Sequence, residues 1–365
     1  MNKQIDEYID SLLMSTPECP LWNIEIIKGD KKTSWNYIDG CMLSSLMELY
    51  KITNNEKYLC FVKNFVDYFI NQNGSIKTYN RGKFALDDIC ESRVLFDLFA
   101  FTKEEKYRLA IDYTFEHVKQ QPRTKEGNFI HKAIYPNQVW LDGIYMVMPF
   151  LTRIGNEHDV NEQLQNIRRI MFDENKKLYY HGYDSSKSMF WANKETGLSK
   201  SFWLRSIGWL LVGLVDVYEY AKENELKATA SSMLEEALEG IMLYQDKESK
   251  MFYQVVDQGN RNGNYLETSG SLMIAYSALK GARLNVLDKK FRSIGQDIFS
   301  GVIKKCLSNK EGKLNLDGIC IMAGLGPDDK PHRDGSFEYY ISEKIVSNDA
   351  KGVGPLIMAY VETLK

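Results

Sequence analysis

Histidine is scarce in this chain, five residues in 365, and so is proline, at eight. Few histidines argue against chemistry built on histidine acid/base pairs, and few prolines leave long stretches free to run as uninterrupted helices. The six cysteines, Cys19, Cys41, Cys60, Cys90, Cys306 and Cys320, form no CxxC pair, which argues against a zinc site or a dense disulfide frame. They read as reduced thiols, mostly in the core. No cluster of metal ligands stands out, and no residue pattern here calls for a metal or an organic cofactor. Charge of neither sign dominates: 46 Lys and Arg against 49 Asp and Glu leave a net charge of -3 and no basic footprint for nucleic acid. An anionic ligand must then find a local cation. No run of about 18 apolar residues is available to cross a membrane, and the opening MNKQIDEYIDSLLMSTPECPLW lacks a charged segment followed by an apolar one. A cytoplasmic protein is the simplest expectation. Asn73-Gly-Ser matches a glycosylation sequon, a match common by chance.

What the chain does have is a recurring apolar stretch that ends in a polar turn. It appears six times, as LSSLMELYKITNNEKYL, RVLFDLFAFTKEEKYRLA, IYMVMPFLTRIGNEHDV, WLLVGLVDVYEYAKENELK, LMIAYSALKGARL and GPLIMAYVETLK. Apolar residues at helical spacing cover most of each circumference, the mark of a buried helix. The segments that follow, such as YLCFVKNFVDYFI and TASSMLEEALEGIMLY, are one-sided. Buried inner helix followed by outer helix with one wet face describes a two-layered ring. The units lie about 50 to 80 residues apart, too irregular for a solenoid. The expected fold is therefore all-α, a six-hairpin toroid or (α/α)6 barrel, with residues 1–365 as one catalytic domain. Aromatic stretches such as NFIHKAIYP, KLYYHGYD and MFYQVVDQ read as short extended flaps. The connection from roughly Gly312 to Asp349 is too long for a turn and is expected to fold over one mouth of the ring.

The beginnings of the inner helices are unusual: SWNYIDG, ALDDICES, QVWLDGIYM, SFWLRSIGW, YLETSGS and SNDAKGVGP. In a closed ring these starts converge at one end. Trp35, Trp140, Trp203 and Trp209, four of the six tryptophans, fall there. Aromatic faces that stack on sugar rings, with carboxylates and a few cations between them, make a carbohydrate cleft. An equally simple account exists for the acids. Asp87, Asp142 and Asp349 stand where a helix N-cap stands, and a capping carboxylate needs no further role.

Taken together, QVWLDGIYMVMPFL with HKAIYPNQVW before it, YYHGYD, WANKETGLSKSFWLRSIGW, and YLETSGS through NDAKGVGPLIMAY resemble the unsaturated rhamnogalacturonyl hydrolases, glycoside hydrolase family 105. The resemblance runs from about Trp35 to Val361, with its blocks in family order. It implies an (α/α)6 barrel, in agreement with the hairpins, and a small oligosaccharide substrate. It also implies a chemistry in which a 4,5-unsaturated uronic acid is released by hydration of its double bond. An acid protonates C4, water adds at C5, and the resulting hemiketal opens. No displacement occurs at C1, so the carboxylate-separation rule for glycosidases does not apply.

Carried onto this sequence, the resemblance makes Asp142 the general acid and water-activating base and Asp87 the second acidic position, with Asp88 as its alternative. His131, Lys132, Trp140, His181, Trp203 and Arg205 fall on binding positions, and Trp35 and Tyr37 on the walls of the sugar pocket. Arg205 is the candidate for gripping the uronate carboxylate with two parallel hydrogen bonds. A helix N-terminus lowers a carboxyl pKa, the wrong direction for an acid, so Asp142 and Asp87 are expected to share one proton by like-charge repulsion. Trp209 reads as core. Leu204 and Glu91-Ser92 depart from the small residues usual in the family and point to a differently shaped pocket beyond the unsaturated sugar. Competing readings are an unsaturated glucuronyl hydrolase acting on glycosaminoglycan-type fragments, a sugar epimerase on the same toroid, and a helical scaffold without catalysis. The epimerase needs paired histidines, while His117 and His158 read as superficial. Nothing in the residues favours a particular oligomeric state.

Overall fold

The computed structural model describes residues 3–365. Among them the helices, in chain order, are α1 (Lys3–Leu12), α2 (Ile24–Ile27), α3 (Tyr37–Thr53), α4 (Glu56–Asp67), α5 (Asp87–Cys90), α6 (Arg93–Thr102), α7 (Glu105–Val118), α8 (Asp142–Ile154), α9 (Glu157–Met171), α10 (Leu204–Tyr220), α11 (Asn224–Met242), α12 (Thr268–Arg283), α13 (Lys290–Cys306), α14 (Phe337–Ser342) and α15 (Ala350–Leu364). Neighbour packs on neighbour in the order α3, α5 with α6, α8, α10, α12, α15 and back to α3, which closes an inner ring. This is the expected (α/α)6 barrel.

Burial follows the sequence pattern. In α10 every residue from Leu204 to Val217 is buried, as an apolar helix inside a ring must be. In the outer α11 only one face is: Leu226, Ala230, Met233, Leu234, Ala237, Leu238, Gly240 and Ile241. Inner helices approach closely where side chains are absent. A Cβ on Gly213 of α10 would stand 2.9 Å from Ile144 Cγ2 of α8, and one on Gly354 of α15 would stand 2.9 Å from the Cys41 carbonyl of α3. Larger residues there would force the ring apart. Tight inner-to-outer turns use left-handed residues, Asn54 after α3, Lys103 after α6 and Gly155 after α8.

The sixth hairpin differs from the other five. α15 ends the chain, and the helix outside it is α1, tied in by Tyr360 Oη to Asp6 Oδ1 at 3.0 Å and Tyr8 Oη to Asn348 Oδ1 at 2.7 Å. Helices far apart in sequence, α1 and α15, therefore form this sixth pair. His117, expected to be superficial, is only 1% exposed. It lies on the inward face of α7, with Nδ1 2.6 Å from Tyr79 Oη and Nε2 2.8 Å from the Arg81 carbonyl. His158 is exposed, as read. Trp209 is core, stacked on Tyr145 at 4.4 Å between ring centres. Cys41, Cys90, Cys306 and Cys320 are buried; Cys19 and Cys60 are exposed; all are free thiols.

Toward the C-terminal ends of the inner helices the bore is filled by ions. Asp216 of α10 receives Lys280 of α12 at 2.7 Å, Tyr276 at 2.8 Å and Arg93 of α6 at 2.5 Å. The charges pair with one another there, and the cavity that Arg93, Asp216 and Tyr276 line is only about 20 Å³. The open mouth is at the helix N-termini. No helix among the described residues is long and apolar enough to cross a membrane.

Candidate active site

Two short backbone pairings assemble the mouth. The strands Gln138–Trp140 and Gly182–Asp184 run antiparallel with Trp140 opposite Gly182, and Leu141 N donates to the His181 carbonyl at 3.1 Å. This sets His181 beside Asp142, the next residue. On the other side, His131 N donates to the Gln138 carbonyl at 2.8 Å, and the His131 carbonyl accepts from Leu86 N at 3.1 Å. That sets His131 beside Asp87. Gly182 is needed for close approach, since a Cβ there would fall 2.4 Å from Leu325 Cδ1.

Helix capping does not explain Asp87 or Asp142. Each is the first residue inside its helix, after Leu86 and Leu141, and neither of those cap positions makes a side-chain capping bond. Asp349, by contrast, is an ordinary N-cap whose carboxylate accepts from Lys351 N at 2.9 Å. The three acids that look alike in sequence thus separate.

Asp87 meets Lys132 Nζ at 2.5 Å and His131 Nε2 at 3.3 Å. Burial alone would raise its pKa, but Lys132 and His131 outweigh burial and hold the carboxyl well below the usual carboxylate range. The expected sharing of one proton between Asp87 and Asp142 is overturned at Asp87, because a cation in contact keeps it ionised. Next to it, Asp88 is pushed up to about 6, first by burial and then by the Asp87 charge, with Lys132 opposing.

Asp142 is 9% exposed, and its Oδ2 is buried 3.4 Å from His181 Nε2. His181 is fully buried among Trp203, Trp140 and Tyr340, at 4.7, 5.5 and 5.9 Å between ring centres. Burial lowers its pKa and Asp142 partly restores it. His131 stacks on Trp140 at 4.4 Å.

Arg205 is 1% exposed, with its guanidinium 4.8 Å from the Trp203 ring centre. Its Nη1 donates to the Cys320 carbonyl and to Ser269 Oγ. Its Nε is buried without a partner, and among the described residues no carboxylate pairs with it. A salt bridge at the helix start is therefore not its role. Leu204, one of the departures from the family pattern, packs on Gly270 of α12. Glu91, another, is buried and accepts from Asn36 N at 2.6 Å.

A cavity of about 510 Å³ opens at this mouth, large enough for a small oligosaccharide. Trp35, Tyr37, Asp87, Asp88 and Lys132 line it, together with Asn36, Glu25, Lys31, Lys32 and Lys83. Asp142, His131, His181, Trp140, Trp203 and Arg205 stand outside that lining. Burial raises the Tyr37 hydroxyl, and the Asp87 charge adds to this while Arg205 opposes it.

The long connection folds over the mouth as expected. Leu325 packs with Tyr135, Trp140 and Trp191, and Tyr340 of α14 stacks on Trp203 and meets His181 Nδ1 at 2.6 Å. Tyr340 and Gln254, which accepts from Trp203 Nε1 at 3.3 Å, were not singled out from sequence. The tyrosine pair in SFEYYIS was the available signal for the first, an aromatic cluster inside a polar connection.

Acids, imidazoles and indoles gathered at the N-terminal mouth of an (α/α)6 ring describe a sugar-cleaving enzyme. The chain belongs to glycoside hydrolase family 88/105: residues 18–365 match the family model described as Glycosyl Hydrolase Family 88. A solved family 105 glycoside hydrolase from C. acetobutylicum ATCC 824 is similar over 99% of this chain and 98% of that one, at 37% identity and a TM-score of 0.89. Protein Atu3128 of Agrobacterium fabrum is 40% identical over 192 residues, 51% of this chain and 82% of that protein. The unsaturated rhamnogalacturonyl hydrolase YesR of Bacillus subtilis is 22% identical over 265 residues, 69% of this chain and 72% of that protein.

Proposed function

We propose that this glycoside hydrolase releases the 4,5-unsaturated uronic acid from the non-reducing end of lyase-generated oligosaccharides, with unsaturated rhamnogalacturonan disaccharides as the favoured substrates. The observation that carries the reading is Asp142: a carboxyl at the mouth, not spent on helix capping, with one oxygen buried against His181. Likeness to YesR supports the rhamnogalacturonan side.

In this reading Asp142 gives its proton to C4, and the electron pair of the C4=C5 bond forms the new C4–H bond. Positive charge builds at C5, shared with the ring oxygen. The Asp142 carboxylate takes a proton from water as that water's oxygen bonds to C5, which regenerates the acid. The hemiketal then opens, and the link at C1 is lost. Asp87, held ionised by Lys132, adds negative potential beside the developing cation. Arg205 offers its free Nε side to the uronate carboxylate, satisfying a buried donor whose desolvation otherwise costs about 1–3 kcal/mol.

Lys31, Lys32, Lys83 and Lys132 around the cavity favour a second reading, in which the sugar attached to the uronate is itself acidic, as in glycosaminoglycan-type fragments. A panel of unsaturated disaccharides, followed by loss of the ultraviolet absorbance of the conjugated double bond, separates the two. Hydration predicts deuterium at C4 when the reaction runs in heavy water. An unlabelled C4 would mean displacement at the anomeric carbon and would overturn the mechanism.

A further inference from the structure

Tyr340 reaches the site from α14, in the connection over the mouth, and its hydroxyl meets His181 Nδ1 at 2.6 Å. On the other side of the imidazole, Nε2 lies 3.4 Å from Asp142 Oδ2 with no hydrogen bond between them, and neither atom has another partner among the described residues. Burial keeps the ring neutral near pH 7, so it carries one proton, on one nitrogen or the other. Burial likewise keeps the phenol protonated.

Two arrangements are open to such a chain. If the phenol O–H donates to Nδ1, the ring proton sits on Nε2, the nitrogen beside Asp142 Oδ2. If the ring proton sits on Nδ1, the Nε2 lone pair faces Oδ2, and the contact is favourable only when the acid proton of Asp142 lies on that buried oxygen, turned away from the sugar. The first arrangement sets an N–H dipole beside the buried oxygen, which disfavours a proton there and leaves the acid proton on the oxygen free to face the ligand.

We propose that Tyr340 is a positioning residue: its phenol donates to His181 Nδ1, holds the imidazole as the Nε2–H tautomer, and so leaves Asp142 Oδ1 as the oxygen that carries the transferable proton. The catalytic part of this rests on the assignment of Asp142 as the acid. The tautomer itself does not. Trp203 and Trp140 wall the imidazole, so it has little freedom to find another partner for Nδ1. A second-sphere hydrogen bond that sets a histidine tautomer is a general device for orienting the group on its far side.

The test is histidine-selective 15N labelling of the full chain, free of ligand, with His181→Gln used to assign the signal among the five histidines. The wild-type ring is expected to be protonated at Nε2. In Tyr340→Phe, which removes one oxygen and keeps the ring against Trp203, a mixture of tautomers is expected. On an unsaturated disaccharide that variant should lose about tenfold in kcat with KM within about twofold. A wild-type ring protonated at Nδ1, or a variant that keeps the single Nε2–H form, overturns the proposal. The wild-type spectrum alone carries the test if the variant does not fold. Expected spectra from a protein that consumes no unsaturated disaccharide would leave the tautomer assignment standing and sink the functional reading instead.

Discussion

Lys132 Nζ lies 2.5 Å from Asp87 Oδ2, and this contact, with His131 3.3 Å from the other oxygen, makes Asp87 a fixed anion at the mouth of the ring. Of two carboxylates that begin neighbouring inner helices, the one with an ammonium cannot be the proton donor near neutral pH. The other, Asp142, meets no ammonium among the described residues, only the His181 ring.

Removing that ammonium should be visible in the pH profile. Lys132→Met leaves Asp87 buried without its ammonium and with only the His131 ring beside it, so its pKa rises. The acid limb of kcat/KM is expected to move to higher pH. A limb that stays in place would remove Asp87 ionisation from the rate.

Asp142→Asn should fold as the parent does, since the side chain caps nothing, and should lose about 10³-fold in kcat. Circular dichroism and thermal melts check the first part and the double-bond absorbance the second. Near-parental turnover would exclude Asp142 as the acid.

Arg205 is buried, so truncation to Ala would disturb packing as well as binding. Arg205→Lys keeps the charge and gives up the planar edge on which Nε is unpartnered. KM for an unsaturated uronide is expected to rise about tenfold, with a smaller change in kcat. An unchanged KM would detach Arg205 from the carboxylate.

Asp88 provides a test of electrostatics that needs no substrate. Its pKa is raised to about 6 in the folded chain, so between about pH 4 and that value the folded state holds a proton that the unfolded chain has released. Its contribution to stability is present below about pH 4 and lost as pH rises through about 6. Asp39, also pushed up to about 6 by burial, contributes in the same direction. Urea melts of the parent and of Asp88→Asn across this window should therefore show the parent's advantage shrinking as pH rises. A constant difference would mean that Asp88 titrates at its ordinary value.

Periodicity and helix starts were enough to read the ring. α10 and α11 show why: an inner helix must be apolar all round and an outer one on a single face, and both patterns are local. The same locality explains where the reading stopped. Asp87, Asp142 and Asp349 occupy similar positions in sequence, and only the backbone geometry makes Asp349 a cap and leaves the other two free. His117 reads as surface on its helix, yet the segment carrying Tyr79 and Arg81 packs over it.

The sequence by itself therefore determined the class of fold, which rests on side-chain type at short spacing, and the family, which rests on whole blocks of residues in order. Tertiary structure decided which charge meets which. The pairing of Asp87 with Lys132, the closure of the last hairpin by α1, and the reach of Tyr340 to His181 across 159 residues all depend on ring closure. In a buried site those contacts, more than residue type, decide which carboxyl is held ionised.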